Sequence, residues 1–177
     1  LEQIGKPYAN VPIDQPPHSI QQIELSILLD NVRSALNVGS ILRSAEGLGV
    51  KHIYLCGITP TADHPKINKT ALGAESNISC SYHLNALDTV DGLKRSSLQI
   101  WSLEIAPRSI PIVEALHYPL PDHLLLVAGN ELSGVDPEIL SISDRIIFLP
   151  MTGKKTSLNI AVAVGVAVSL IRVPGWV

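Results

Sequence analysis

The chain has 177 residues, a formal net charge of −3 and a hydrophobic content of 46%, which together indicate one compact domain with a sizeable core. Aromatic residues make up only 4% of the chain, so that core must be aliphatic, as in a sheet covered by helices. The negative charge excludes a general electrostatic attraction to nucleic acid. Any surface that binds nucleic acid must therefore be local.

The cysteines and the hydropathy pattern bear on the compartment. Cys56 and Cys80 lie 24 residues apart, without CxxC spacing, and buried structural thiols are the simplest interpretation. The first 20 residues are polar and rich in proline, unlike a signal peptide. The longest uncharged apolar stretch, residues 158–171, is shorter than the roughly 20 residues that span a bilayer. We therefore expect a soluble, cytoplasmic protein.

The chain begins with an irregular arm, followed by a strand and a helix. Residues 1–22 contain four prolines and no clear periodicity, which favours an irregular arm. Residues 25–29 are apolar except for Ser26, which is typical of a strand buried on both faces. Asn37 is a candidate cap for the following helix, which we expect to end near Gly47 or Gly49.

The middle of the chain alternates helical and strand-like segments. The patterns predict strands at residues 52–55 and 98–103, and helices at residues 69–72 and 85–94. Residues 106–122 contain four prolines and predict a connecting segment.

The last third adds two strands and a well-marked helix start. Residues 124–127 and 145–149 predict strands. Asp136-Pro137-Glu138 supplies the cap, the proline and the carboxylate that are typical of a first helical turn. Strands that alternate with helices favour an α/β fold with a mostly parallel sheet flanked by helices. We assign residues 23–177 to one such domain.

The closing segment, residues 156–172, supports two interpretations. Residues 161–168 alternate small and large side chains with a period of two, which favours a strand. The length of the whole segment favours a helix instead. Propensity alone does not decide between them.

Three polar loops, each directly after a strand-like apolar run, concentrate the side chains that could carry chemistry. They lie within residues 30–43, 128–134 and 149–159. In open α/β sheets, ligands bind beyond the carboxyl ends of the strands, so the polar groups gathered there indicate an active site. The candidate residues are Asn37, Arg43, Gly129, Glu131, Leu149, Met151, Ser157, Leu158 and Asn159.

Most of these residues also have a simpler explanation. Arg43 could be a solvated helix residue, Glu131 an exposed carboxylate without a role, and Ser157 a helix cap. Gly129 could leave room for a ligand to approach the strand end. Asn159 is harder to dismiss, because an amide in an apolar segment needs partners, and burying it unpaired costs about 1–3 kcal/mol.

Other site chemistries lack their sequence patterns. The chain has no GxGxxG after a strand, no GxxxxGK[ST] and no GxSxG. Its six histidines are scattered without the spacing of metal ligands. We therefore expect no catalytic metal.

Taken together, the three loops resemble the signature motifs of the SpoU (TrmH-like) RNA methyltransferases of the SPOUT superfamily. Asn37-Val-Gly39-Ser-Ile-Leu-Arg43 is similar to that family's N-x-G-x-x-x-R, and Gly129-Asn-Glu131-Leu-Ser-Gly134 to its G-x-E-x-x-G. Leu149-Pro150-Met151, followed by Ser157-Leu158-Asn159, resembles its I-P-M…S-L-N. Residues 69–75 also look like a stretch common between the first two motifs, and the whole match covers residues 24–172.

The resemblance implies a fold and an assembly. The family ties its carboxyl end into a deep trefoil knot, although knots are nearly absent from proteins in general. The resemblance also implies that the closing segment is a helix, and that two chains form a homodimer with each active site near their interface. Two residues depart from the family pattern: Asn130 stands where a small residue or serine is frequent, and Ala161 where serine is frequent.

The resemblance further implies the reaction, which is methyl transfer from S-adenosyl-L-methionine to a ribose 2′-hydroxyl of tRNA or rRNA. The cofactor would contact Gly129, Leu149, Met151, Ser157 and Leu158.

Arg43 is the catalytic candidate that the resemblance implies. A guanidinium is effectively always protonated, so we expect Arg43 to bind a neighbouring phosphate and stabilise the developing alkoxide rather than act as a base. Asn37, Glu131, Ser157 and Asn159 would orient Arg43 and the ribose.

Two other function classes remain open. The chain could be a non-catalytic RNA- or cofactor-binding module with a methyltransferase-like fold, which methylation of bulk RNA would distinguish from an enzyme. A nucleotide-binding oxidoreductase, the generic α/β alternative, would require a phosphate-binding glycine pattern that this sequence lacks.

Overall fold

A computed structural model describes residues 23–94, 97–154 and 157–173; the predicted arm at residues 1–22 lies outside the described residues. The strands are β1 (Glu24–Asp30), β2 (His52–Cys56), β3 (Ser79–His83), β4 (Leu98–Leu103), β5 (Ile110–Pro111), β6 (His123–Ala128) and β7 (Arg145–Phe148). They form one sheet in the order β3-β2-β1-β6-β4-β7-β5. Every pairing between neighbouring strands is parallel, which confirms the predicted fold class.

Helices connect the strands and cover both faces of the sheet. They are α1 (Ala35–Gly47), α2 (Asn68–Ala71), α3 (Ala86–Leu93), α4 (Ile112–Ala115), α5 (Pro137–Ile142) and α6 (Ile160–Arg172), and a 3₁₀ turn spans Ala74–Ser76. Over the described ranges, no helix has both the length and the apolar character needed to cross a membrane.

Two apolar clusters form the core. Alternate residues of a strand point to opposite faces, and β1 accordingly contributes Ile27 to one cluster and Leu28 to the other. The larger cluster holds the buried sides of α1 and α6, which pack against each other. The smaller one holds buried residues of α3 and α5. The core is aliphatic as predicted, except for the fully buried Trp101.

Three elements do not follow from the sequence pattern. The strand β3 has the sequence Ser-Cys-Ser-Tyr-His and is an edge strand of the sheet, so it lacks the apolar run of a strand with two neighbours. The strand β5 and the helix α4 lie inside the proline-rich segment 106–122, which we assigned only as a connecting segment. Both are too short, at two and four residues, to show a period.

The first helix begins earlier than its predicted cap, and that prediction is wrong. Ser34 is the N-cap of α1, and its hydroxyl oxygen accepts a hydrogen bond from the backbone N–H of Asn37 at 3.3 Å. Asn37 therefore lies in the first turn of the helix. Its side chain is free to bond to other loops because it does not cap its own helix.

The closing segment is the helix α6, as the family resemblance implied. Its period-two alternation of valine and smaller residues is compatible with a helix, because valines at every second position form two sets spaced by four residues. Val164 and Val168 are buried in the core, whereas Val162 and Val166 are exposed. The trefoil knot stays a prediction.

Arg172 fixes the end of α6 to the chain just before the strands β1 and β2. Its guanidinium is buried and donates hydrogen bonds to the backbone carbonyls of Ile23 and Gly49. Burial lowers the pKa of this guanidinium from its ordinary value. The contacts join the last helix to the start of β1 and to the turn between α1 and β2.

Candidate active site

A cavity of 490 Å³ lies at the carboxyl ends of the adjacent strands β4, β6 and β7, where α/β folds bind ligands. All five residues predicted to contact a cofactor line it, together with Glu131 and Asn159. Asn37 and Arg43 do not line it. The residues around the cavity are Leu103, Glu104, Ile105, Ala128, Gly129, Asn130, Glu131, Leu132, Gly134, Phe148, Leu149, Met151, Ser157, Leu158, Asn159, Ile160 and Ala163.

Glu131 joins the second motif loop to the start of α1. Its carboxylate accepts hydrogen bonds from the backbone N–H groups of Arg33 at 3.0 Å and Ser34 at 3.2 Å, and from the side-chain amide of Asn37 at 3.0 Å. Burial acts to raise the pKa of Glu131, but these hydrogen bonds outweigh it, and the pKa lies below its usual value. Glu131 is therefore an ionised structural link between two motifs, rather than an unengaged surface carboxylate.

Asn159 joins the third motif loop to Asn37 and, through Asn37, to Glu131. Its side-chain amide donates to the side-chain oxygen of Asn37 at 3.1 Å, and its own oxygen accepts from the backbone N–H of Ala161 at 2.9 Å. Asn159 is thus the N-cap of α6, a position for which we considered Ser157. The polar chain Glu131–Asn37–Asn159 brings one residue of each motif together beside the cavity.

Gly129 is required by a tight turn of the backbone, which was not predicted from the sequence. A Cβ atom at Gly129 would lie 2.2 Å from the backbone carbon of Gly134 and from the nitrogen of Val135. The chain turns back on itself here, and Asn130 and Gly134 exchange two backbone hydrogen bonds. The tight turn by itself requires a glycine at this position, which also lines the cavity.

Gly39, the glycine of the first motif, lets α1 and α2 approach closely. A Cβ atom here would lie 2.2 Å from the hydroxyl oxygen of Thr70 and 2.5 Å from the carbonyl oxygen of Ile67. Thr70 also donates a hydrogen bond to the carbonyl of Leu36 at 3.0 Å. The stretch 69–75, which resembles a family sequence, therefore packs directly on the first motif.

Arg43 lies apart from this polar chain. It is exposed on α1, and among the described residues its guanidinium has no hydrogen-bond or ion-pair partner. Helix geometry places it about 9 Å along the axis from Asn37 and about 120° around it. The structure thus brings Asn37, Glu131 and Asn159 together, but not Arg43.

Two further polar residues near the site, Asn130 and Glu104, were not predicted as site residues from the sequence. Asn130 donates to the carbonyl of Asn31 at 2.7 Å and accepts from the backbone N–H groups of Leu132 and Ser133, which joins the first two motif loops a second time. Glu104 follows β4 directly and lines the cavity. A polar residue after an apolar run is the signal that marked the other three loops, and it applied to Glu104 as well.

The buried Asp30 completes the contact between these loops. Its carboxylate accepts hydrogen bonds from the side-chain amide of Asn31 at 2.8 Å and from the backbone N–H of Asp136 at 3.1 Å. Burial raises the pKa of Asp30, and these two hydrogen bonds oppose that effect.

In the described part of the chain, no three His, Cys, Asp or Glu residues are grouped so as to hold a metal ion.

Comparison with known proteins identifies the family. The profile of the SpoU rRNA Methylase family matches residues 24–169, which includes all three motifs. The chain belongs to this family. It is 31% identical over 147 residues to a tRNA (guanosine(18)-2′-O)-methyltransferase of Aquifex aeolicus, covering 82% of this chain and 67% of that one.

Two further similar proteins are named for a different RNA class, and one of them has a bound cofactor. The chain is 27% identical to a 23S rRNA (guanosine(2553)-2′-O)-methyltransferase of Bacillus subtilis, over 89% of this chain and 61% of the relative. The crystal structure of an AdoMet-bound rRNA methyltransferase from Sinorhizobium meliloti superposes with a TM-score of 0.75 at 25% identity, over 85% of this chain and 56% of that one. The chain thus spans between 56% and 67% of these three proteins.

Proposed function

We propose that this chain transfers a methyl group from S-adenosyl-L-methionine to a ribose 2′-hydroxyl of tRNA or rRNA. The observation that carries the proposal is the polar chain Glu131–Asn37–Asn159, which gathers one residue from each motif beside a cavity at the carboxyl end of the sheet. Family membership supports it, since the relatives with named substrates are RNA 2′-O-methyltransferases.

The cavity suits the cofactor in size and in lining. Its volume of 490 Å³ falls within the range of about 300–1,000 Å³ that is usual for small-ligand sites. Leu149, Met151 and Leu158 offer apolar surface for an adenine, while Gly129 and Ser157 offer polar atoms. When bound, S-adenosylmethionine supplies an electrophilic methyl group, so the protein's own task is to position the reactants.

Arg43 would bind the RNA phosphate next to the target ribose and stabilise negative charge on the 2′-oxygen. An exposed guanidinium that has no partner among the described residues is available for a bidentate contact with phosphate. Glu131, Asn37 and Asn159 would hold the start of α1, and with it Arg43, in a fixed position relative to the cavity. Ser157, also on the cavity wall, would orient the ribose.

Exposed apolar side chains on α1 and α6 support a homodimer. Leu36 of α1 is 46% exposed, and Val162 and Val166 of α6 are 51% and 40% exposed, although α1 and α6 pack together. Leu36 and Arg43 lie on the same side of α1, because seven residues make nearly two full turns. A second copy that covered these apolar side chains would bring its own surface close to Arg43.

The test is a methylation assay on purified protein with both RNA classes. Cofactor with a labelled methyl group is incubated with transfer RNA and with ribosomal RNA, and digestion to nucleosides shows where the label is. We expect ribose-methylated nucleosides from one class of RNA. Binding of cofactor or RNA with no transfer to either class would instead mean a non-catalytic binding module.

A further inference from the structure

The described residues that line the cavity carry negative charge without a compensating cation. Two carboxylates, Glu104 and Glu131, lie on its wall, and the described lining residues include no lysine, arginine or histidine. A site of this composition favours a ligand with a positive charge. The two carboxylates differ in how far the protein itself neutralises them.

Glu131 is largely satisfied by the protein. It accepts three hydrogen bonds, from the backbone N–H groups of Arg33 and Ser34 and from the amide of Asn37. Two of these donors stand at the start of α1, where the helix dipole also favours an anion. Little of this charge remains for a ligand.

Glu104 is held in place but remains unneutralised. One carboxylate oxygen accepts from the backbone N–H of Ile105 at 2.9 Å and the other from that of Val135 at 3.1 Å, which leaves acceptor capacity on both oxygens. Arg108, a cation in the same loop, donates instead to the carbonyls of Leu140 and Ser141. Within the described ranges, Glu104 has no ion-pair partner.

The second motif makes room for this carboxylate. Gly134 has a φ of 75°, and a Cβ atom there would lie 2.3 Å from a carboxylate oxygen of Glu104. The turn that Gly134 closes also presents the N–H of Val135 to the same oxygen. The loop is thus built around Glu104, which fixes the charge on the cavity wall.

We infer that Glu104 is a specificity-determining residue that recognises the positive charge of the sulfonium cofactor. The inference rests on the proposed function. In the transfer, the 2′-oxygen forms a bond to the methyl carbon, the carbon–sulfur bond breaks, and sulfur keeps the electron pair as a neutral thioether. The hydroxyl proton leaves to solvent. One positive charge therefore disappears from the cofactor in each turnover, and Glu104 favours the methyl donor over its neutral product.

The test compares three ligands on purified protein by calorimetry. S-adenosylmethionine carries a sulfonium, sinefungin carries an ammonium at the equivalent place, and S-adenosylhomocysteine carries an uncharged thioether. In Glu104→Gln we expect the two cationic ligands to bind about two- to fivefold more weakly, which is the effect of losing a solvent-accessible ion pair. The affinity for S-adenosylhomocysteine, the uncharged product, should change less than about twofold. Glu104→Asp, which keeps the charge, should restore part of the preference.

The controls separate the possible failures. Glu114→Gln removes an exposed carboxylate on α4, away from the cavity lining, and should leave all three affinities unchanged. An equal loss for all three ligands in Glu104→Gln would overturn the inference, because Glu104 would then contact a part that they share. No loss for any of them would overturn it as well. Wild-type protein that bound none of the three would contradict the proposed function itself.

A salt titration of the wild-type protein keeps the inference testable if the Glu104 variant does not fold. Raising the ionic strength should weaken the binding of S-adenosylmethionine and sinefungin more than that of S-adenosylhomocysteine. Equal salt dependence for the three ligands would contradict the role of the charge.

Discussion

Single residues hold the three motif loops together, and their contacts converge on Glu131 and Asn37. Glu131 lies 98 positions from Arg33, and Asn159 lies 122 positions from Asn37. These long-range hydrogen bonds let one carboxylate and one amide fix the start of α1 against two distant loops. The same residues that identify the family are therefore also structural links.

The charge of Glu131 should contribute to stability in a pH-dependent way. Since its pKa in the folded protein lies below the ordinary value of 4.5, its contribution is present above pH 4.5 and is lost as the pH falls through the folded-state pKa. Glu131→Gln should therefore be less stable than wild type at neutral pH, and the difference should shrink below about pH 4.5. Urea unfolding at several pH values measures this.

Glu46→Gln is the matched control for that measurement. Glu46 is exposed on α1, and its substitution should have little effect at any of these pH values. A stability difference between Glu131→Gln and wild type that is the same at neutral and acidic pH would contradict the assigned hydrogen bonds.

Some contacts of single residues could be predicted from the sequence, and others could not. The side-chain amide of Asn159 is paired, as we expected, but the cost of burying an unpaired amide does not explain this, because Asn159 is exposed at the start of α6. The backbone partners of Glu131 did not follow, since any N–H of the chain could be a donor. The N-cap of α1 was assigned to Asn37, whereas it is Ser34. Both residue types are good caps, and only the geometry of the loop decides between them.

At the scale of whole elements, the close contact of α1 with α2 depends on the absence of a side chain at Gly39. Gly39→Ala should destabilise the protein by about 1–3 kcal/mol, because the new methyl group overlaps Thr70 and the backbone of Ile67. Gly47 lies in the same helix with open space around it. Gly47→Ala should therefore be neutral or stabilise by up to about 1 kcal/mol.

Thermal or denaturant unfolding of the two variants measures this pair of effects. The comparison removes the general helix preference of alanine over glycine, which is shared by both substitutions. Equal stability changes for the two variants would mean that the close packing at Gly39 is not needed for the fold.

The elements that the sequence could predict are those with a strong pattern. Apolar runs marked β1, β4, β6 and β7, and the Asp-Pro-Glu start marked α5. The polar strand β3 was missed because an edge strand needs no continuous apolar face. The helix α6 could not be assigned from its valine alternation, which is compatible with both a strand and two helical rows spaced by four residues.

At the scale of the whole molecule, the exposed apolar side chains of α1 and α6 predict a homodimer. A charged residue in the middle of this surface should prevent association because burying an unpaired charge is costly. We expect wild type to be a dimer at micromolar concentration and the Val162→Glu, Val166→Glu double variant to be a monomer by light scattering. Ile58→Glu, a change at a 63% exposed residue in the loop after β2 and outside both α1 and α6, is the control and should leave the dimer intact.

A monomeric wild-type protein with full activity would exclude the dimer as a requirement for function. A double variant that stays dimeric would place the interface on another surface.

We propose that Arg43, although it does not line the cavity, stabilises the negative charge that develops during methyl transfer. Single-turnover methylation of the RNA class that the wild-type protein modifies, measured beside cofactor titrations, tests it most directly. Arg43→Ala should slow transfer by about 10²–10³-fold, as for the loss of a preorganised charge-stabilising donor, while cofactor affinity stays close to wild type. Arg43→Lys keeps the charge but loses the planar fork and should be only partly active. Normal single-turnover rates in Arg43→Ala would mean that Arg43 has no catalytic role.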